Sequence, residues 1–146
     1  MSKRPNVITM GDPAGVGPEV ICKALAALPA GRRSGLAVIG SRPVLESANR
    51  LCKTGLTFGE HGVTLIEIET DGVADAPAGE VSAAAGEAAY QYVVRAVDMA
   101  KMGEAGCIVT APINKASLNA AGHNYDGHTG LLSHLAGGIK PFMLLS

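Results

Sequence analysis

Asn6-Val-Ile-Thr-Met10, then Gly11-Asp-Pro-Ala-Gly-Val-Gly-Pro-Glu19, then Val20-Ile-Cys-Lys-Ala-Leu-Ala-Ala-Leu28 is the stretch that decides the fold. The first part is a β-rich run that stops at Gly11, and the second is a tight loop. In the third, Val20, Ile21, Ala24, Leu25 and Leu28 recur at helical spacing. Pro18 suits a first helical turn, where a missing N–H costs nothing, and Glu19 complements the helix dipole there. Pro29 and Gly31 are expected to end the helix. The order is strand, Gly-rich loop, helix.

The same rhythm continues outward. Residues 36–40 are apolar, too few for a helix, and read as a buried parallel strand. Ser41 is expected to cap a helix over residues 43–52. Residues 63–68 form the next strand. Residues 71–79, rich in Ala, Gly, Asp and Pro, form an exposed loop. Ser82 caps a long helix from about residue 83 to about residue 102, with Tyr90, Val93, Val94, Val97 and Lys101 near one stripe. Residues 107–110 are a strand, and Asn114 caps a helix over residues 115–121. Residues 131–136 form a short helix closed by Gly137 and Gly138, and residues 141–146 open a further strand. Strands alternating with helices predict an α/β fold, a parallel sheet covered on both faces in α/β/α layers. A chain that stops inside an apolar strand reads as the N-terminal part of a longer protein. Residues 1–146 are thus expected to be an incomplete α/β domain.

The chain's 146 residues suffice for one domain with a real core. A net charge of −1 argues against nucleic acid or an anionic membrane as partner. Aromatic content of 3% without Trp leaves no base-stacking platform. No apolar run approaches a membrane span, and the basic N-terminus lacks the apolar stretch of a secretion signal. Cys22, Cys52 and Cys107 are odd in number and set in apolar segments. They read as buried free thiols in a reducing compartment, hence a cytoplasmic location.

Three segments concentrate the chemistry. The loop from Gly11 to Glu19 opens a helix and can bind an anion through backbone N–H groups. The spacing of Gly11, Gly15 and Gly17 fits neither nucleotide fingerprint, and Asp12 puts negative charge where a phosphate would sit. The competing reading is a tight turn whose glycines supply positive φ angles. Either way, the loop lies at a strand's C-terminal end, where open α/β sheets place ligands. The second segment is Thr110-Ala-Pro-Ile-Asn-Lys115. A Lys in a first helical turn opposes the dipole unless an anionic ligand sits between it and the helix end; otherwise Lys115 is an exposed cation on a solvated helix. The third is His123-Asn-Tyr-Asp-Gly-His-Thr129. Its two histidines are not an i, i+4 pair and no third is close, so zinc is disfavoured. His128 and Thr129 opening a helix suit a polar ligand, with imidazole, hydroxyl and free N–H groups together. The alternative for Thr129 is a simple N-cap. Tyr125 positions a ligand or packs the loop, His134 is a surface or half-buried residue, and His61 carries no functional claim.

Three blocks together carry a resemblance: Thr-Met-Gly-Asp-Pro-Ala-Gly-Val-Gly-Pro-Glu at positions 9–19, Thr-Ala-Pro-Ile-Asn-Lys at 110–115, and Ala-Gly-His with Gly-His-Thr at 121–129. In order and spacing they resemble the 4-hydroxythreonine-4-phosphate dehydrogenase family of pyridoxine (pyridoxal phosphate) biosynthesis. The Ala-Pro-Ile-Asn-Lys spelling is similar to the branch acting on threonate and erythronate 4-phosphates. The resemblance implies an isopropylmalate-dehydrogenase-like fold without the usual dinucleotide fingerprint, and a homodimer. It also implies NAD(P)-dependent, metal-requiring oxidation with decarboxylation of a phosphorylated hydroxy acid such as 4-phosphohydroxy-L-threonine. In that chemistry a divalent metal ion is the Lewis acid. The resemblance maps substrate binding onto His128 and Thr129, with Lys115 beside them in a less defined role. The metal ligands and most of the cofactor site are expected beyond residue 146. No catalytic residue and no metal ligand is therefore assigned within the chain, and the 146 residues alone are expected to be inactive. One departure is Gly130, where the family usually has Glu; it costs a helix roughly 1 kcal/mol against Ala. The alternatives are a non-catalytic truncated fragment and a phosphate acetyltransferase-like acyltransferase, which the block spellings oppose.

Overall fold

The computed structural model describes residues 4–59 and 62–141. The strand expected from residue 141 and the position of His61 lie outside the described residues, apart from Pro141 itself. The elements in order are β1 (Asn6–Thr9), α1 (Gly17–Ala27), α2 (Ala30–Arg33), β2 (Leu36–Gly40), α3 (Arg42–Cys52), β3 (Thr64–Glu67), α4 (Ala83–Lys101), β4 (Cys107–Thr110), α5 (Lys115–Ala120) and α6 (His128–Leu135).

The four strands form one parallel sheet in the order β3-β2-β1-β4. Ile8 pairs with Val38 on one side and Val109 on the other. From β1 the chain steps outward through α1 to β2 and through α3 to β3. It then returns through α4 to the far side of β1. Because such crossovers are right-handed, reversing direction moves the covering helix to the opposite face. Accordingly Ile8 and Val109 line a groove with Ile21 and Leu25 of α1. Ile108, one residue along and on the other face, meets Val97 and Ala100 of α4. The sheet is covered on both faces, as expected, and its order reverses between β1 and β4.

Helix α4 has two buried stripes. Ala88, Tyr92, Ala96 and Met99 belong to the main core with Val7, Ile39 and Leu45. Val93 and Val97 join Leu131 of α6 in a smaller cluster. Small residues let α4 lie close to its neighbours: a Cβ on Gly86 would be 1.9 Å from the Ser117 carbonyl oxygen of α5. The capping expectations divide. Ser82 Oγ accepts from the Ala85 N–H at 3.3 Å, and Asn114 Oδ1 accepts from the N–H groups of Ala116 and Ser117 at 2.9 and 3.2 Å. Ser41 occupies the cap position of α3 but its side chain makes no capping bond.

Several expectations are corrected. Val20 is 50% exposed, Ala24 is exposed and Leu28 half-buried, so of the expected stripe only Ile21 and Leu25 are buried, and Cys22 joins them. Helix α1 does end before Pro29, as expected, but the segment after it is not irregular. A short turn, α2, follows, and Arg33 reaches back to the carbonyls of Leu28 and Ala26 at 3.0 and 3.2 Å, placing a cation at the C-terminus of α1. Of the three thiols only Cys22 is buried; Cys52 is half-buried and Cys107 exposed. Burial pushes the Cys22 thiol up to about 11. The 71–79 loop is exposed except for buried Val73 and half-buried Ala76. Helix α6 starts at His128 rather than Leu131, with Gly127 at its N-cap. Thr129 lies inside the first turn, which excludes its reading as a simple cap. No helix among the described residues is long and apolar enough to cross a membrane.

Candidate functional site

The loops after β1 and β4 leave the sheet where its order reverses, which is the position open α/β sheets use for ligands. Gly11 and Gly17 allow the two loops to meet. Gly11 has φ +73°, and a Cβ there would lie 2.2 Å from the Pro112 carbonyl oxygen. Gly17 needs no positive φ, but its Cβ would fall 2.3 Å from the Met10 carbonyl oxygen. The Asp12 N–H donates to the Pro112 carbonyl at 2.9 Å, and the Ala111 N–H to Thr9 at 3.1 Å. The turn reading therefore holds for Gly11, while close backbone approach explains Gly17.

Asp12 is only 3% exposed. Its Oδ1 accepts from the Ala14 N–H at 2.8 Å, and the Ser117 hydroxyl of α5 also bonds to it. Burial dominates and raises its pKa above the ordinary value, and these two hydrogen bonds offset only part of the rise. Ser117 Oγ in turn accepts from the Ser82 N–H at 3.3 Å. One buried polar chain thus ties the first loop, α5 and the start of α4 together. Ser117 carried no sequence signal, because its partners are remote in the chain.

The structure brings Lys115 beside the start of α6. Lys115 is exposed in the first turn of α5, and its Cε lies 3.7 Å from where a Cβ on Gly127 would stand. His128, the next residue, is half-buried, and its Nε2 has no hydrogen-bond partner among the described residues. Burial lowers its pKa, which favours the neutral imidazole. The first-turn N–H groups of α6 carry partial positive charge, and Gly127 supplies no side-chain cap. A neutral imidazole, free N–H groups and a nearby ammonium suit a ligand that is anionic and hydroxylated. Exposed Thr129 borders a groove of about 470 Å³ between α4 and α6, lined chiefly by Val97, Ile108 and Leu132.

Among the described residues, His123 and His134 do not converge on His128. His123 Nε2 contacts Glu87 Oε2 at 2.6 Å. His134 is exposed, its ring tilted against Tyr125 at 5.7 Å. Tyr125 packs with Val93, Val97 and Leu131, so of its two readings loop packing fits. Among the described residues no group of three His, Cys, Asp or Glu side chains is placed to hold a metal ion.

With this geometry in view, comparison with known proteins is decisive. The family described as pyridoxal phosphate biosynthetic protein PdxA matches residues 32–146. The chain belongs to the PdxA family. It is 38% identical over 135 residues to a 4-hydroxythreonine-4-phosphate dehydrogenase of Synechocystis sp., a match covering 90% of this chain and 39% of that protein. Among solved PdxA-like structures, a 4-hydroxythreonine-4-phosphate dehydrogenase from Burkholderia phymatum superposes with a TM-score of 0.83 at 40% identity. That superposition covers 93% of this chain and 44% of the other. The Klebsiella pneumoniae 4-hydroxythreonine-4-phosphate dehydrogenase gives 0.80 at 37% identity, covering 90% and 44%. The chain therefore spans less than half the length of these relatives.

Proposed function

We propose that this chain supplies the substrate-holding part of a PdxA-type dehydrogenase. In this reading the whole enzyme oxidises and decarboxylates a phosphorylated hydroxy acid such as 4-phosphohydroxy-L-threonine. Family membership supports the reading, and one observation carries it here: His128, whose Nε2 has no partner among the described residues, stands at the opening of α6 with Lys115 alongside. His128 and the first-turn N–H groups hold hydroxyl and anionic groups of the substrate, Thr129 adds a hydroxyl, and Lys115 neutralises phosphate or carboxylate. A relative from Bradyrhizobium diazoefficiens, 36% identical and provisionally named a D-threonate 4-phosphate dehydrogenase, supports keeping threonate 4-phosphate as an alternative substrate.

The described residues do not fit the family's metal or its dinucleotide. They present no three-ligand group, and the glycine spacing of the first loop does not cradle a pyrophosphate. NAD(P) and a divalent ion, when bound, supply hydride acceptance and Lewis acidity. Their ligands fall to the rest of the family's length. The isopropylmalate-dehydrogenase-like fold, the homodimer and the cytoplasmic location belong to the same proposal.

The test has two arms. The ¹⁵N-labelled 146-residue chain is titrated with 4-phosphohydroxy-L-threonine and with threonate 4-phosphate. Saturable shifts at Lys115, His128 and Thr129, lost in His128→Ala, are expected. Equal affinity in wild type and His128→Ala refutes the substrate-holding role. The isolated chain is also assayed for NAD(P) reduction with divalent metal. No turnover is expected, and clear turnover would overturn the assignment of the cofactor site elsewhere.

A further inference from the structure

Helix α6 is weakly specified by its own residues. It has eight residues, a glycine N-cap that makes no capping bond, and Gly130 in its first turn. Gly127 has φ +140°, and the space around Gly130 is open. Isolated helices this short are not stable in water, so something outside α6 must hold its start.

The holding contacts come from α4. Residues 121–127 connect α5 to α6, and His123 in that connection is fastened twice. Its Nε2 lies 2.6 Å from Glu87 Oε2, and its ring stacks on Tyr90 with centroids 3.7 Å apart and planes 9° apart. Glu87 is itself held, its Oε1 accepting from Gln91 Nε2 at 2.7 Å. Glu87, Tyr90 and Gln91 stand at i, i+3 and i+4 on one face of α4. The ring series continues from Tyr90 to Tyr125 at 6.4 Å and from Tyr125 to His134 of α6 at 5.7 Å. Two of the four rings, His123 and Tyr125, lie in the middle of the connection, and the last lies on α6. The Glu87 and His123 side chains are 36% and 22% exposed, so burial alone is not what the pair provides. A hydrogen-bonded pair at a half-exposed seam specifies position.

We propose that Glu87 and Tyr90 are positioning residues that act through His123, clamping the α5–α6 connection to α4 and so setting where α6, with His128 and Thr129, begins. The clamp's functional meaning rests on the substrate-holding reading above. Its structural content stands apart from that reading and is tested separately.

The test uses the ¹⁵N-labelled 146-residue chain as wild type, Glu87→Ala, Glu87→Gln and His123→Phe. Amide exchange is followed at Leu131, Leu132 and Leu135 in α6 and at Tyr92, Val93 and Ala96 in α4, together with the His128 ring resonances. Glu87→Ala is expected to lose about tenfold protection in α6, the order of one charge-assisted hydrogen bond, and to shift the His128 ring signals. Protection in α4 stays as in wild type. Glu87→Gln, whose side-chain oxygen still accepts a hydrogen bond, restores most of the loss. His123→Phe keeps the stacking, loses the hydrogen bond and follows Glu87→Ala, so the test survives a folding failure in either variant. Unchanged α6 protection and His128 signals in both loss variants overturn the proposal, as does equal loss in α4 and α6. Titration with 4-phosphohydroxy-L-threonine separates the two claims. No binding by wild type sinks the substrate reading while exchange still decides the clamp. Binding that needs His128 but ignores Glu87, with α6 protection unchanged, sinks the clamp alone.

Discussion

Gly11→Ala is the sharpest test of the junction between the two loops at the sheet's reversal. Alanine at φ +73° enters the left-handed region, at a cost of about 1–2 kcal/mol. Its Cβ would stand 2.2 Å from the Pro112 carbonyl oxygen and 2.8 Å from that of Ala111. Both are backbone atoms, so no side chain can swing aside, and the loops must part by about 1 Å to restore ordinary contact. That movement stretches the 2.9 Å bond from the Asp12 N–H to Pro112. Leaving such a buried donor unpaired costs about 1–3 kcal/mol. The sum is about 2–5 kcal/mol, a large share of the roughly 5–15 kcal/mol that holds a domain together. Gly15→Ala is the internal control, since Gly15 has no positive φ and its nearest neighbour, Asp12 Cβ, is at 3.4 Å. Urea unfolding followed by far-UV circular dichroism measures both variants, compared at equal m-value. If Gly11→Ala stays within about 1 kcal/mol of Gly15→Ala, the loops are not in contact and the site geometry built on them fails.

Gly130→Ala should stabilise by about 1 kcal/mol, because the position is helical, exposed and open, and a lower melting temperature would show that α6 is not a helix there. Tyr92→Phe should be neutral or stabilising by about 1 kcal/mol, because the buried hydroxyl has no partner among the described residues; a loss above that in chemical unfolding would reveal a bond to it. The Glu87 carboxyl is held below its ordinary value by hydrogen bonds from Gln91 and then His123. Its contribution is therefore complete above the unfolded value near 4.5 and is lost as pH falls through the lower folded value, so the stability difference between wild type and Glu87→Ala should shrink below pH 4.5 and hold steady from pH 5 to 6.

Local chemistry was legible in the sequence wherever one element carried its own signal. The change from β-rich run to helical period around Pro18, the Ser82 and Asn114 caps and the short apolar strands at residues 36–40, 63–68 and 107–110 all act within a few residues, and these are found in place. The start of α6 was legible only in part. Gly127 and Gly130 are poor helix residues, so the periodicity began at Leu131, although the His128-Thr129 pair reads as a helix opening, and the contacts of α6 with α4 accompany the earlier start. The exposure of Val20 escaped the pattern for a related reason. Periodicity ranks residues on a helix face, but which part of that face meets the sheet depends on strand order. The pairings of Asp12 with Ser117 and of Glu87 with His123, the latter 36 residues apart, have no local signature at all.

These long-range links share one anchor. At its start α4 is tied through Ser82 and Ser117 to Asp12 in the first loop. A turn later Glu87 and Tyr90 fasten His123, and at its end Lys101 donates to the Leu135 carbonyl at the close of α6. The opposite stripe, Ala88, Tyr92 and Ala96, is locked into the sheet core. A rigid inner face and an outer face carrying three polar fastenings make α4 the ruler against which loop, connection and α6 are set. Segments with weak helices and glycine junctions open locally at low cost unless pinned. Substitutions on the outer face of α4 should therefore disturb the region around His128 while leaving the sheet intact, and substitutions on its inner face should unfold both together.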